Sequence, residues 1–441
     1  MALLKSLSLA TLFALLSLLS GPILHIVRIG GVFHTPNPTI LSKDQGPIYI
    51  DDTVHCEDVH HYKPANLLFT ACEDTKSTRF AWFPPLGHLI PATTSGSIHI
   101  VDPVTMKSTR LQFTNFKGPF VTHGIDVIQD SKYEHEHADT DAVYIFAVNH
   151  LPNPAYFNSN ANGNENENAT STPPGTHKAA SQIELFHHVL GSGTVQHVRS
   201  IQHPLIETPN DIYAESETSI YVTNDHFYRE GVMRHIEDVW PSAKWSSIIH
   251  VRLSAADLTS NVESKVEAEV ASTGLWNNNG LGHGRTADEM IISSAIGGEL
   301  FLSKVDSSAE LNGSVSVGES VSFGTVTDNP SYYVDPYATA DDDVSGVVVA
   351  GISKAIQLPV TAKDPEGVDP VQVWYARPAR IGSGSGGWEK KLLFEDDGLR
   401  IRTASAAVLV PVEPTGDGVK RAWLFVTGFM SERMVAVQVE L

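Results

Sequence analysis

Cysteine is almost absent: 441 residues carry two, Cys56 and Cys72. No Cys/His spacing of the zinc type occurs, and no thiol is left over if the two pair, so a zinc module and a thiol nucleophile are both excluded. Basic charge is also short, with 30 Lys and Arg against 51 Asp and Glu and a net charge of −21. A nucleic-acid partner needs a basic footprint, and none is present. No Gly-x-Ser-x-Gly stretch supplies the elbow of a serine hydrolase. Helical periodicity is scarce beyond the N-terminal segment.

That segment reads Met1-Ala2-Leu3-Leu4-Lys5, followed by an uncharged stretch from Ser6 to Val27 before Arg28. Its core, Leu7 to Leu19, has signal-peptide length, but Leu18 and Leu19 stand where a cleavage site wants small residues. The whole stretch approaches the roughly 20 residues that span a bilayer. Positive charge at the amino terminus and Lys5 outweighs Arg28, which favours an N-inside orientation. Residues 1–28 therefore read as a signal anchor or signal peptide, with the anchor favoured. Either form sends residues 29–441 into the secretory pathway, lumenal or extracellular, and the anchor form associates with a membrane.

What fills the body is a series of short β-rich runs. They are Leu67–Thr70, Ile98–Val101, Val143–Val148, Ile183–His187, Ile220–Val222, Ile248–Val251, Met290–Ser293, Gly346–Ala350, Val371–Tyr375, Ala406–Val410, Trp423–Val426 and Val435–Val439. Clusters of Gly, Pro, Asn and Asp separate them, which is the pattern of a sandwich, barrel or propeller. A propeller accommodates this length as one domain. One helix is expected in the body, over Met233–Val239. Asn153–His177, Ser307–Gly318 and Gly382–Gly387 read as polar surface insertions. Two glycosylation sequons begin at Asn168 and Asn312. In an oxidising compartment Cys56 and Cys72 are expected to pair, across a hairpin of Val54–Tyr62 and Leu67–Ala71.

Four segments far apart in the chain each hold two neighbouring polar ligand candidates: Glu57-Asp58, Asn210-Asp211, Asn278-Asn279 and Asp328-Asn329. Carboxylate and amide oxygens suit a hard cation such as calcium, which takes six to eight oxygens. Ligands at such intervals cannot form a local loop, so they must converge from repeated units, as at the axis of a propeller. Neighbours on an extended chain point to opposite sides, so Glu57-Asp58 and Asn210-Asp211 could each feed two ions, one side chain of each pair to each ion. Taken singly, such pairs are ordinary turn residues. His60-His61 reads as a surface pair.

At these residues the chain resembles the paraoxonase/arylesterase family of calcium-dependent lactonases. The resemblance lies in Glu57-Asp58, His123-Gly124-Ile125, Val148-Asn149-His150 and Asn210-Asp211-Ile212. It continues through Thr223-Asn224-Asp225-His226, Trp245-Ser246, Asn279-Gly280 and Asp328-Asn329, in the family's order. It implies an all-β fold, a six-bladed β-propeller with central calcium sites, preceded by an N-terminal hydrophobic helix. It implies two calcium ions. Glu57, Asn210, Asn279, Asp328 and Asn329 would hold a catalytic ion, and Asp58, Asp211 and the Ile125 carbonyl a structural one. His123 and His150 would be the proton-transfer pair, since imidazole titrates near neutrality. Asn224-Asp225-His226 would support the ligand shell.

Two departures accompany the likeness. The family ties its N-terminal region to a cysteine near the C-terminus, whereas Val435 to Leu441 contain none, so closure must rest on hydrogen bonds and packing. A further pocket histidine of the family falls where this chain reads Gly351-Ile352-Ser353. The expected function is calcium-dependent hydrolysis of a small-molecule lactone or aryl ester, with no obligate protein partner. The alternative is a non-catalytic, calcium-stabilised propeller serving as a binding module.

Overall fold

Valine and isoleucine on both faces of a strand require sheets packed on each side, and that is how the middle strands of this chain lie. The computed structural model describes residues 20–38, 46–92, 95–136, 141–161, 176–258, 266–306, 313–379 and 387–441. Six sheets, antiparallel except where Gln112–Thr114 pairs in parallel with Thr194–Ile201, follow one another around a ring, making a six-bladed β-propeller. The innermost strands are Asp58–Tyr62, Thr122–Gln129, Pro209–Ser216, Asn278–His283, Pro330–Tyr333 and Ala404–Val412. Each packs beside the next around the axis, and the last lies against the first.

The apolar clusters sit between successive blades. Val148, Ile183, Ile212 and Val222 fill the space between the second and third. Val348, Tyr375, Leu409 and Leu424 fill that between the fifth and sixth. The sixth blade is Ala404–Val412, Arg421–Gly428 and Met434–Glu440, completed on its outer edge by Ile48–Ile50 from the other end of the chain. Ile48 pairs with Ala436, Tyr49 with Val435 and Ile50 with Met434. Closure is thus a backbone ladder, with Ile50 buried among Val59, Val408 and Phe425.

The cysteines form the expected bond. Its hairpin runs Asp58–Tyr62 and Leu67–Cys72, turning through a 3₁₀ segment, Lys63–Ala65. The expected body helix spans Val232–Val239, but it is not alone. Short helices over Lys76–Ala81, Ser131–Glu136, Pro154–Ala161 and Leu358–Thr361 are too brief to show periodicity, and Pro154–Ala161 lies inside an expected loop insertion. Residues 20–29 are helical, and that helix rests on the fourth and fifth blades. His25 Nε2 meets the Ile296 carbonyl at 2.9 Å, and the Ile356 N–H donates to Gly30 O at 3.0 Å. No helix among the described residues is long and apolar enough to cross a membrane. Residues 1–19, Asn168 and Asn312 lie outside the described residues.

Candidate active site

Every candidate ligand sits on or beside an innermost strand, near the end where that strand begins. Glu57 immediately precedes Asp58–Tyr62, Asn210 and Asp211 open Pro209–Ser216, Asn279 opens Asn278–His283, and Asp328-Asn329 lead into Pro330–Tyr333. Bonds between blades hold these starts in place. The Glu57 carbonyl accepts the Ser405 hydroxyl and, at 3.3 Å, that of Thr427. Thr223 Oγ1 accepts from Asp211 N at 3.0 Å and donates to Asn279 O at 2.7 Å. Two glycines let the strands close in. A Cβ on Gly124 would lie 2.3 Å from Asp211 Oδ1, and one on Gly280 would lie 2.6 Å from Asn329 Oδ1.

Within this crown Asn329 Nδ2 donates to Glu57 Oε1 at 2.9 Å. Four further side-chain oxygens of the set have no hydrogen-bond partner: Glu57 Oε2, Asn210 Oδ1, Asn279 Oδ1 and Asn329 Oδ1 are all buried and unbonded. Buried polar oxygens are ordinarily paired, so this concentration of exceptions needs an explanation. Charge gives the same indication. Burial, and then the carboxylates of Asp328, Asp58 and Asp211, hold the Glu57 carboxyl well above its usual range. Burial, Asp58 and Asp225 raise that of Asp328, and burial and Asp58 raise that of Asp211. Crowded acids that oppose one another's ionisation are relieved by a bound cation. No group of three or more His, Cys, Asp or Glu among the described residues is arranged to hold a metal. The upper set fits calcium in another way, as a mixture of carboxylate and amide oxygens.

The histidines stand beside this set. His123 Nε2 lies 3.9 Å from Glu57 Oε1, while its Nδ1 is 3.0 Å from His150 Nε2. Ser181 Oγ sits 2.8 Å from His150 Nδ1, a partner that no sequence signal marked. Trp82 Nε1 donates to the His150 carbonyl at 2.7 Å. Phe83 turns its edge to both imidazoles and stacks on Phe429, at centroid distances of 5.2, 6.1 and 6.1 Å. Burial pushes the His123 imidazole down to about 4, and Arg79 adds to this against the opposing charge of Asp225. Burial and His123 hold His150 well below its ordinary value. Both rings are therefore neutral at pH 7.

The sequence model of a family described as Arylesterase matches residues 162–338. Serum paraoxonase/arylesterase 2 of Gallus gallus is 24% identical over 164 residues, 37% of this chain and 33% of the relative. Its counterpart in Rattus norvegicus is 24% identical over 131 residues, 30% of this chain and 27% of the relative. Over part of its length the chain is thus similar to the paraoxonases and arylesterases. The matches span a third or less of the length of these relatives. Among solved structures, a luciferin-regenerating enzyme covers 91% of this chain and 95% of its own at 11% identity, with a TM-score of 0.42. That likeness is too slight to carry an argument.

One residue of the axis differs from the sequence expectation. His60 is not a surface residue: its ring is held between Asp58 and Asp126, each at 3.1 Å, because it shares the channel-facing side of its strand with Asp58. Its neighbour His61 does face outward and meets Asn66 Oδ1 at 3.0 Å. In the Gly351-Ile352-Ser353 stretch, Ile352 packs with Trp82, Phe83 and Phe429. Beside the site, Asp225 lies 3.1 Å from His226 Nδ1 and 3.5 Å from Arg234, and Asp238 Oδ1 lies 2.7 Å from His226 Nε2.

Proposed function

We propose that this chain is a calcium-dependent hydrolase of lactones or aryl esters. The observation that carries the reading is the group of four buried, unpartnered oxygens on Glu57, Asn210, Asn279 and Asn329 beside the His123–His150 pair. Those oxygens, with Asp328, would hold the ion, whose chemistry when bound is Lewis-acid polarisation of the substrate carbonyl and its developing oxyanion.

The protein's own part is proton handling. His123 is neutral, so the lone pair on Nε2 is free to take a proton from the attacking water. That role requires the other proton on Nδ1, donated to His150 Nε2. His150 then carries its proton on Nδ1, facing Ser181 Oγ. The same Nε2 proton returns to the leaving alkoxide, which completes hydrolysis without a covalent intermediate. Phe83, Phe429 and Trp82 wall the rings off from bulk water. The Cys56–Cys72 bond supports an oxidising, secretory location for the protein, and the acidic surface agrees with a small-molecule rather than a nucleic-acid partner.

The test is hydrolysis of a panel of lactones and aryl esters by purified protein, with and without a calcium chelator. Turnover that calcium restores after chelation is expected. Turnover indifferent to the chelator, or none on any substrate with calcium bound, overturns the proposal.

A further inference from the structure

Below the upper ligands the channel is filled by side chains in a line. Asp58 Oδ2 meets His60 Nε2 at 3.1 Å, His60 Nδ1 meets Asp126 Oδ1 at 3.1 Å, and Asp126 Oδ2 meets His283 Nε2 at 2.7 Å. Carboxylate and imidazole alternate from the axis to the far mouth, where His283 lies against Tyr213 with centroids 4.3 Å apart. Backbone amides take up the other positions. Val59 N and Ile125 N donate to Asp58 at 2.8 and 3.1 Å. Ile212 N and Leu281 N donate to Asp211 at 2.8 and 2.7 Å. Val127 N and Ala214 N donate to Asp126 at 2.7 and 2.6 Å. No oxygen of these three carboxylates is without a partner, in contrast to the four above them.

This arrangement does not fit a second calcium. A carboxylate offers about four lone-pair positions. Three on Asp58 and two on Asp211 are already taken. What remains, with the Ile125 carbonyl, would leave most of calcium's six to eight oxygens to be supplied by water in a space that the His60 ring already fills. The imidazole of His60 also occupies the Asp58 oxygen that faces down the channel. A buried carboxylate without any partner would be untenable, so some group must stand against Asp58. Here a side chain does.

We infer that the chain binds one calcium ion rather than two, and that the His60 imidazole takes the place of the lower ion against Asp58. The upper ion rests on the function proposed above; the lower position does not. Equilibrium dialysis of the full chain against calcium, with excess magnesium to suppress surface binding, counts ions per chain. One ion is expected, falling to none in Glu57→Gln. Two ions in the unaltered protein overturn the inference and leave the proposed hydrolase standing, whereas none overturns both. His60→Asn exchanges the imidazole for a smaller group with an oxygen and is expected to bind two. If His60→Asn folds and still binds one, His60 does not block the lower position. If it does not fold, the count for the unaltered protein decides.

Discussion

Asn329 and Glu57 are 272 positions apart in the chain, and the amide of one donates to the carboxylate of the other at 2.9 Å. Each then keeps one oxygen, Asn329 Oδ1 and Glu57 Oε2, buried and unbonded. The bond therefore orients two candidate ligands while leaving an oxygen of each free.

Glu57→Gln keeps the shape of this pair and removes one charge. We expect the variant to lose calcium and with it hydrolysis, by at least the roughly 10²–10³ in rate that a single group stabilising an oxyanion supplies. Calcium content and turnover should be measured on the same preparation. Calcium content and turnover both equal to those of the unaltered protein would remove Glu57 from the site, whereas full turnover in a calcium-free variant would overturn the calcium dependence.

His123→Gln should leave calcium content and melting temperature near those of the unaltered protein, because His123 is assigned no ligand role. Hydrolysis should fall by about 10²–10⁴, the usual worth of a general base. Unchanged turnover across the substrate panel would end the assignment.

His226 offers a test by pH. Burial lowers its pKa, but the adjoining carboxylates of Asp225 and Asp238 override that and lift it from 6.5 to about 9. A raised folded-state value stabilises fully below the unfolded value and is lost as pH climbs through the folded one. The contribution, about 3 kcal/mol, should be present at pH 6 and gone above pH 9. His226→Gln should therefore melt well below the unaltered protein at pH 6, with the gap narrowing steadily up to pH 9.5. A gap that does not change with pH contradicts the ion-pair account.

The Cys56–Cys72 bond joins residues 16 apart and anchors the strand that Glu57 precedes. Replacing both by serine should cost about 3 kcal/mol from the chain-entropy effect of such a loop. Chemical denaturation of the double variant measures it. Equal stability would mean that the hairpin and its packing hold Glu57 unaided.

How far the sequence disclosed all this follows burial. The expected runs fall almost entirely on the middle strands of the blades, such as Val143–Val148 within Ala142–Pro152, which are apolar because they are covered on both faces. Outer strands such as Thr194–Ile201 and Glu267–Leu275 face water and read as mixed polar sequence. Inner strands were hidden for the opposite reason. Asn278–His283 and Pro330–Tyr333 carry Gly, Asn and Pro because they line a polar axis and approach one another closely, and those are also loop residues. The candidate ligands stood out only through their order along the chain. Asp126, His283 and Ser181 could not be singled out, since their contacts cross blades or strands that only the ring brings together.

Strand Ile48–Ile50 has its place only on the edge offered by Met434–Glu440. The earlier-made segment must therefore wait, unpaired, until Met434–Glu440 has emerged, and the sixth blade is meanwhile one strand short. Contacts this distant in sequence form slowly. During that interval the exposed edge of Met434–Glu440 can accept the corresponding strand of another molecule as readily as its own, which is the geometry of domain exchange. Shortening the chain within its final strand would leave Ile48–Ile50 with nothing to pair with. Two segments far apart in the sequence thus form a latch, and the order of synthesis sets it late.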